Sequence, residues 1–156
     1  MPTDKEKIFF KNKLKQWGAN LVEQRIQAAR KAMNEAQEAA NSEEKSSAGD
    51  KYETGRAMGH LQKDMHAQQL AVAVQDLALL KAVPTDNYYR EGASGAVLEA
   101  GEMVLFISVG LGKQSVGGRA VIFLSPQAPI AKQLLGKRIG DQIVFNQRSL
   151  IIDDIY

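Results

Sequence analysis

Between Asn41 and Arg56 the chain reads NSEEKSSAGDKYETGR, with four carboxylates, Glu43, Glu44, Asp50 and Glu53, and no large aliphatic side chain. Asp50 and Glu53 are three apart, which on a helix sets them on one side within about 5–6 Å. Carboxylates so placed can share a hard divalent cation, and magnesium is typically held by one or two carboxylates plus water or substrate oxygens. Such a pair suits the completion of a metal site that belongs mostly to another molecule. A plainer role competes with it. Asp50-x-x-Glu53 has capping-box spacing, or Ser47 is the cap with Asp50 as its partner. Acidic groups at a helix start also complement the macrodipole, each by about 0.3–1 kcal/mol. Four carboxylates exceed what one cap needs.

Other chemistry-bearing residues are sparse. His60 and His66 are six apart, so they do not stack on one helix face as metal ligands four apart would, and both read as solvated. GLGKQS, Gly110 to Ser115, evokes a phosphate loop but lacks the full G-x-x-x-x-G-K-[ST] pattern, and reads as a hairpin turn. The absence of cysteine excludes disulfides and thiolate metal sites. A net charge of +2, balanced in both halves of the chain, gives no basic nucleic-acid-binding module. Lys5, Lys7, Lys11, Lys13 and Lys15 cluster near the start and read as a solvated face, with contact to an acidic partner as the alternative. No apolar run approaches the roughly 20 residues that span a bilayer. The opening MPTDKEKIFFKNK lacks the apolar core of a secretory signal. A soluble, cytoplasmic, monomeric protein is the expectation.

The elements that must position the acidic segment are two long helices. Val22, Ile26, Ala29, Met33, Ala36 and Ala40 are spaced 4, 3, 4, 3, 4, a heptad seam. Phe10, Leu14, Trp17 and Leu21 show the same spacing upstream, shifted by one position at Leu21–Val22, with Trp17 expected in the core. The second helix offers Met58, Leu61 and Met65, then Leu70, Ala73, Leu77 and Leu80. Two narrow stripes joined by a short loop predict an antiparallel coiled-coil hairpin over residues 1–84, thinned by Ala36 and Ala40 toward its apex. Pro84 stops the second helix, and VPTDNYYREGASG reads as a linker.

Residues 85–156 change to short β-rich runs. GAVLEAGE, MVLFISVG and GRAVIFLS predict strands, SPQAPIAKQLLGK a short helix, and DQIVF with SLIID a hairpin about Asn146–Gln147. A strongly bent antiparallel sheet with one helix across it is expected. The fold class is therefore α+β.

The run SPQAPIAKQLLGKRIGDQIVF resembles the Gre transcript-cleavage factors of bacterial RNA polymerase, and the likeness extends over nearly the whole chain. Ser125, Pro126, Ile130, Ala131, Leu135, Gly136, Lys137, Gly140 and Asp141 stand at the matching positions. The resemblance implies a helical hairpin followed by an FKBP-like domain. It also implies that the hairpin enters the polymerase secondary channel. There its acidic apex would help hold a magnesium shared with the polymerase and a water, and backtracked RNA would be cleaved near its 3′ end by two-metal chemistry. The protein alone would then be no enzyme and would carry no cofactor of its own. Asp50 and Glu53 match the family's Gly-Asp-x-x-Glu through Gly49, but TGRAM follows where the family has Asn-Ala-Glu-Tyr. If Tyr52 is set against the family tyrosine, Asp50 and Glu53 lose their match, and Glu43 with Glu44 is the alternative pair. A channel-binding regulator without cleavage, or a coiled-coil adaptor unrelated to polymerase, are the competing expectations. FKBP-like domains include prolyl isomerases with aromatic-lined pockets. Phe106, Phe123 and Phe145 instead read as core.

Overall fold

The structure, a computed structural model, describes the backbone of residues 2–46 and 50–156 and the side chains of that range outside 43–56. The class is α+β. Helix α1 (Asp4–Ser46) and helix α2 (Asp50–Ala82) precede strands β1 (Val97–Ala100), β2 (Met103–Ile107), β3 (Gly112–Val116) and β4 (Arg119–Leu124). A short helix α3 (Pro129–Leu134) and strands β5 (Gln142–Phe145), β6 (Arg148–Ile151) and β7 (Asp154–Ile155) complete the chain. Among the described residues no helix is long and apolar enough to cross a membrane. Contacts divide the chain into two compact units, one of residues 20–77 and one of residues 1–19 with 78–156.

In the unit of residues 20–77 the helices run antiparallel. Gly59 lies against Ala40, Lys63 Nζ donates to Gln37 Oε1 at 2.9 Å, and Arg25 acts on Asp76. The α1 seam follows its heptads: Val22, Ile26, Ala29, Ala36 and Ala40 are buried and Met33 is half-buried. On α2 the lower seam holds, with Ala73 buried and Leu70 and Leu77 half-buried. The upper seam needs correction. Met58, Leu61 and Met65 are more than half exposed, and the seam passes instead through buried Gly59 and half-buried Lys63 and His66. Backbone proximity is the cause. A Cβ on Gly59 would sit 2.7 Å from the Ala40 Cβ, so where α1 presents alanines only glycine fits opposite. Seating Gly59 turns the neighbouring methionines outward.

The other unit is built on a five-stranded sheet of order β3-β4-β2-β1-β7, with β5 and β6 as a separate pair. The sheet is mixed, which corrects the antiparallel expectation. β2 and β4 pair in parallel, Val104 against Val121 and Phe106 against Phe123. Polarity explains this order. GKQSV is the only polar run among β1 to β4, and it takes the edge, where Lys113 guards an open ladder. The apolar β4 is thereby left to lie beside the apolar β2. GLGKQS is accordingly a strand start rather than a turn, and the reversal falls at Gly117–Gly118.

Both faces of the sheet are covered. On one side Leu98, Leu105, Ile107, Leu134, Ile143, Ile152 and Ile155 form a core drawn wholly from residues 85–156. On the other, Phe123 packs edge-on to Phe106 and stacks on Trp17 of α1, with ring centroids 5.9 Å apart in the stacked pair. Leu14 and Leu80, both fully buried, belong to this second layer, and Gly18 lies against Leu80, Phe123 and Leu111. Alternate residues of β2 thus serve two layers, which accounts for a strand with almost no polarity. The β5–β6 hairpin turns at Asn146 and Gln147, both at positive φ (51° and 64°), the geometry of a two-residue primed turn.

Candidate functional site

Of the acidic residues singled out by sequence, Glu43 and Glu44 fall in the last turn of α1 and Asp50 and Glu53 in the first turn of α2, but their side chains, and the alternative cap Ser47, lie outside what is described. Their flanks are described. Gln37 Nε2 donates to Asn41 Oδ1 at 3.0 Å, and Lys63 reaches across to Gln37 from the facing helix. Ala36, Ala40 and Gly59 hold the helix backbones close there, so the arms are thin where they approach the acidic segment. Small residues at successive seam positions are what make this possible.

The remaining sequence candidates are resolved by geometry. His60 is exposed, whereas His66 sits half-buried on the seam with its Nδ1 3.2 Å from Gln69 Oε1. Among the described residues no group of three or more His, Asp or Glu converges. Phe106 and Phe123 are core, as expected, and Phe145 is half-buried.

The residues that carry the family resemblance all shape one corner of the sheet unit. Pro129 opens α3 at a position where a missing N–H costs nothing. Ser125 Oγ accepts from the Gln127 amide at 3.2 Å, and Leu135 caps the helix by donating to the Ala131 carbonyl. Gly136 follows at φ +79°, a left-handed exit that favours glycine, and its amide donates to the Gly92 carbonyl at 2.8 Å. The Asp141 carboxylate accepts from the Arg138 amide at 2.8 Å.

Sequence reading missed the tethering of the basic cluster. Lys7, Lys11 and Lys15 are not a solvated face. Lys11 is fully buried, donates to the Asn87 carbonyl at 2.8 Å and lies 4.6 Å over the Tyr89 ring. Burial lowers its pKa from 10.5 to about 8, against a smaller opposing pull from Asp86. Lys15 donates to the Val83 carbonyl at 2.8 Å. Lys7 pairs with Asp154 at 2.8 Å and reaches the Tyr88 hydroxyl, and the Asp154 bond raises its pKa. Four-residue spacing of Lys7, Lys11 and Lys15 is the signal that could have found this face. The start of α1 also has a reciprocal capping box that sequence reading passed over, between Thr3 and Glu6.

Clefts open on both units. One, of about 760 Å³, runs beside the paired helices between Ala28, Ala32, Met65 and Val72. The other, of about 840 Å³, lies in the sheet unit between the first turns of α1, Tyr88 and Ile139. A scan against protein-family models finds no match to this chain, and a search of curated proteins finds no significant relative.

Proposed function

We propose that the protein is a Gre-like factor that binds bacterial RNA polymerase, enters the secondary channel with its helical hairpin and assists cleavage of backtracked RNA through its acidic apex. The observation that carries this reading is the pairing of two long helices whose seam narrows to alanine and glycine beside the acidic segment. A thin, acid-tipped arm suits delivery of carboxylates into a confined site. The C-terminal run with its matching positions adds the family likeness. In this reading Asp50 and Glu53, or Glu43 and Glu44, contribute negative charge to a magnesium site shared with the polymerase. Bound magnesium supplies Lewis acidity toward water and phosphate. The protein's own part is to position the carboxylates, and the sheet unit docks on the polymerase surface. The protein acts in the cytoplasm.

A second reading, a channel-binding regulator without cleavage, is favoured by one feature. TGRAM follows Glu53 where the family has Asn-Ala-Glu-Tyr.

Substitutions separate cap from metal holder. Ser is as good an N-cap as Asp, and Gln returns the same capping-box hydrogen bond as Glu. Asp50→Ser with Glu53→Gln should therefore keep the fold and polymerase binding. It should lose the 3′-shortening of RNA in a backtracked complex. The same assay with Glu43→Gln and Glu44→Gln tests the alternative pair. Wild-type cleavage by both variants rejects the metal-holding role. A wild-type protein that binds polymerase without shortening RNA is the non-cleaving regulator, and one that does not bind polymerase is an adaptor of another kind.

A further inference from the structure

The cleft of about 840 Å³ in the sheet unit combines charge with exposed apolar surface. Lys5, Arg90 and Arg138 line it against a single lining carboxylate, Asp4. Between them Ile139 is 57% exposed and Tyr88 39% exposed, with Ile8 beside them. Tyr88 is held in place by Lys7, whose ammonium lies near both its hydroxyl and its ring. Arg138 meets Glu91 only at 3.8 Å, with both side chains mostly in solvent, so that pair restrains the guanidinium little. Arginine and tyrosine around an exposed aliphatic side chain are the composition of a protein-binding hot spot.

We infer that this cleft docks a short acidic segment of a partner protein, seating an aliphatic side chain of that segment on Ile139 and Tyr88 and its carboxylates on Lys5, Arg90 and Arg138. Charge complementarity selects the occupant. The lining carries three cations and one anion, which disfavours a basic segment. A nucleic acid would call for a longer basic stripe than Lys5, Arg90 and Arg138 supply. Four of the eight lining residues are charged, unlike the predominantly apolar lining of a small-molecule site. The inference stands apart from the polymerase reading, and polymerase has no part in its test.

The experiment uses the full chain and a fluorescein-labelled peptide of about 12 residues alternating Asp and Leu, followed by anisotropy and by amide chemical shifts. Saturable binding with a Kd on the order of 100 µM is expected, weakening several-fold between low and moderate salt. Shifts should concentrate at residues 88–90 and 138–139. The variant Arg90→Glu with Arg138→Glu changes exposed side chains and should weaken binding at least about tenfold, while Ile139→Ser should weaken it with the charges intact. A peptide with Lys in place of Asp should not bind. Four results each overturn the proposal: no saturation by about 1 mM, equal binding of the Lys peptide, shifts centred elsewhere, or indifference to the variants. Binding of a uridine-rich RNA at these residues, with the Asp-Leu peptide silent, would assign the cleft to nucleic acid and likewise overturn it.

Discussion

Lys11 shows how one buried charge sets a pH dependence. Its folded pKa of about 8 lies below the 10.5 of the unfolded chain. Between those values the unfolded state binds more protons than the folded state, so this group makes stability rise with pH, by at most about 1.4 kcal/mol per unit. The upper end of the window is obscured by other groups. Burial holds the Tyr156 phenol above its ordinary 10.0, which costs stability once the unfolded phenol ionises above that pH. The raised pKa of Lys7 works in the same direction above 10.5. The informative range is therefore about pH 8–10. In urea titrations the stability difference between wild type and Lys11→Met should shift in favour of wild type as pH rises through that range. Parallel profiles would show that Lys11 is not a desolvated ammonium in the folded state.

At the scale of elements, the helix pair depends on Gly59. Glycine costs an exposed helix about 1 kcal/mol relative to alanine. Here a Cβ would lie 2.7 Å from the Ala40 Cβ and 3.3 Å from its Cα, and backbone does not yield cheaply. Overpacking of this kind costs about 1–3 kcal/mol. Gly59→Ala should therefore lower the thermal midpoint followed by circular dichroism, despite its better helix propensity. Ala40→Gly placed on top of it should recover part of the loss, as a double-mutant cycle between touching residues requires. A higher midpoint for Gly59→Ala alone would refute the close approach. The contact also explains the misread seam. Heptad spacing identifies a stripe on each helix, and on α2 both Met58-Leu61-Met65 and Gly59-Lys63-His66 keep that spacing. Hydrophobicity chooses the first. The lack of room beside Ala36 and Ala40 chooses the second.

Across the whole molecule, the sheet unit is discontinuous in sequence, taking residues 1–19 and 78–156. Its first core lies within residues 85–156, but Leu14, Trp17 and Leu80 cover the face that carries Phe123. A chain in which Ala19 is joined to Ala78 by a short flexible loop should keep a single cooperative transition and a structured near-ultraviolet signal from Trp17, the only tryptophan. A fragment of residues 85–156 should melt at lower temperature and bind an apolar dye through its bared face, since an aromatic pair is worth about 0.5–1.5 kcal/mol beyond the area it buries. Equal stability of the two would make the helical cover dispensable.

Local pattern alone determined the α+β class, the α1 seam, the stop before Pro84, the short proline-started α3 and the turn at Asn146–Gln147. Each depends on periodicity, or on residues that act within a few positions of themselves. The acidic pair was also legible as a motif, because its spacing is local. Only tertiary structure decided the parallel pairing of β2 with β4, since strand neighbours are chosen by which long-range partner buries an apolar run, and the polar β3 was displaced to the edge. It likewise decided that Lys7, Lys11 and Lys15 would be tethered. A lysine run looks solvated until a loop 68 to 81 positions away supplies carbonyls and a tyrosine hydroxyl to receive it.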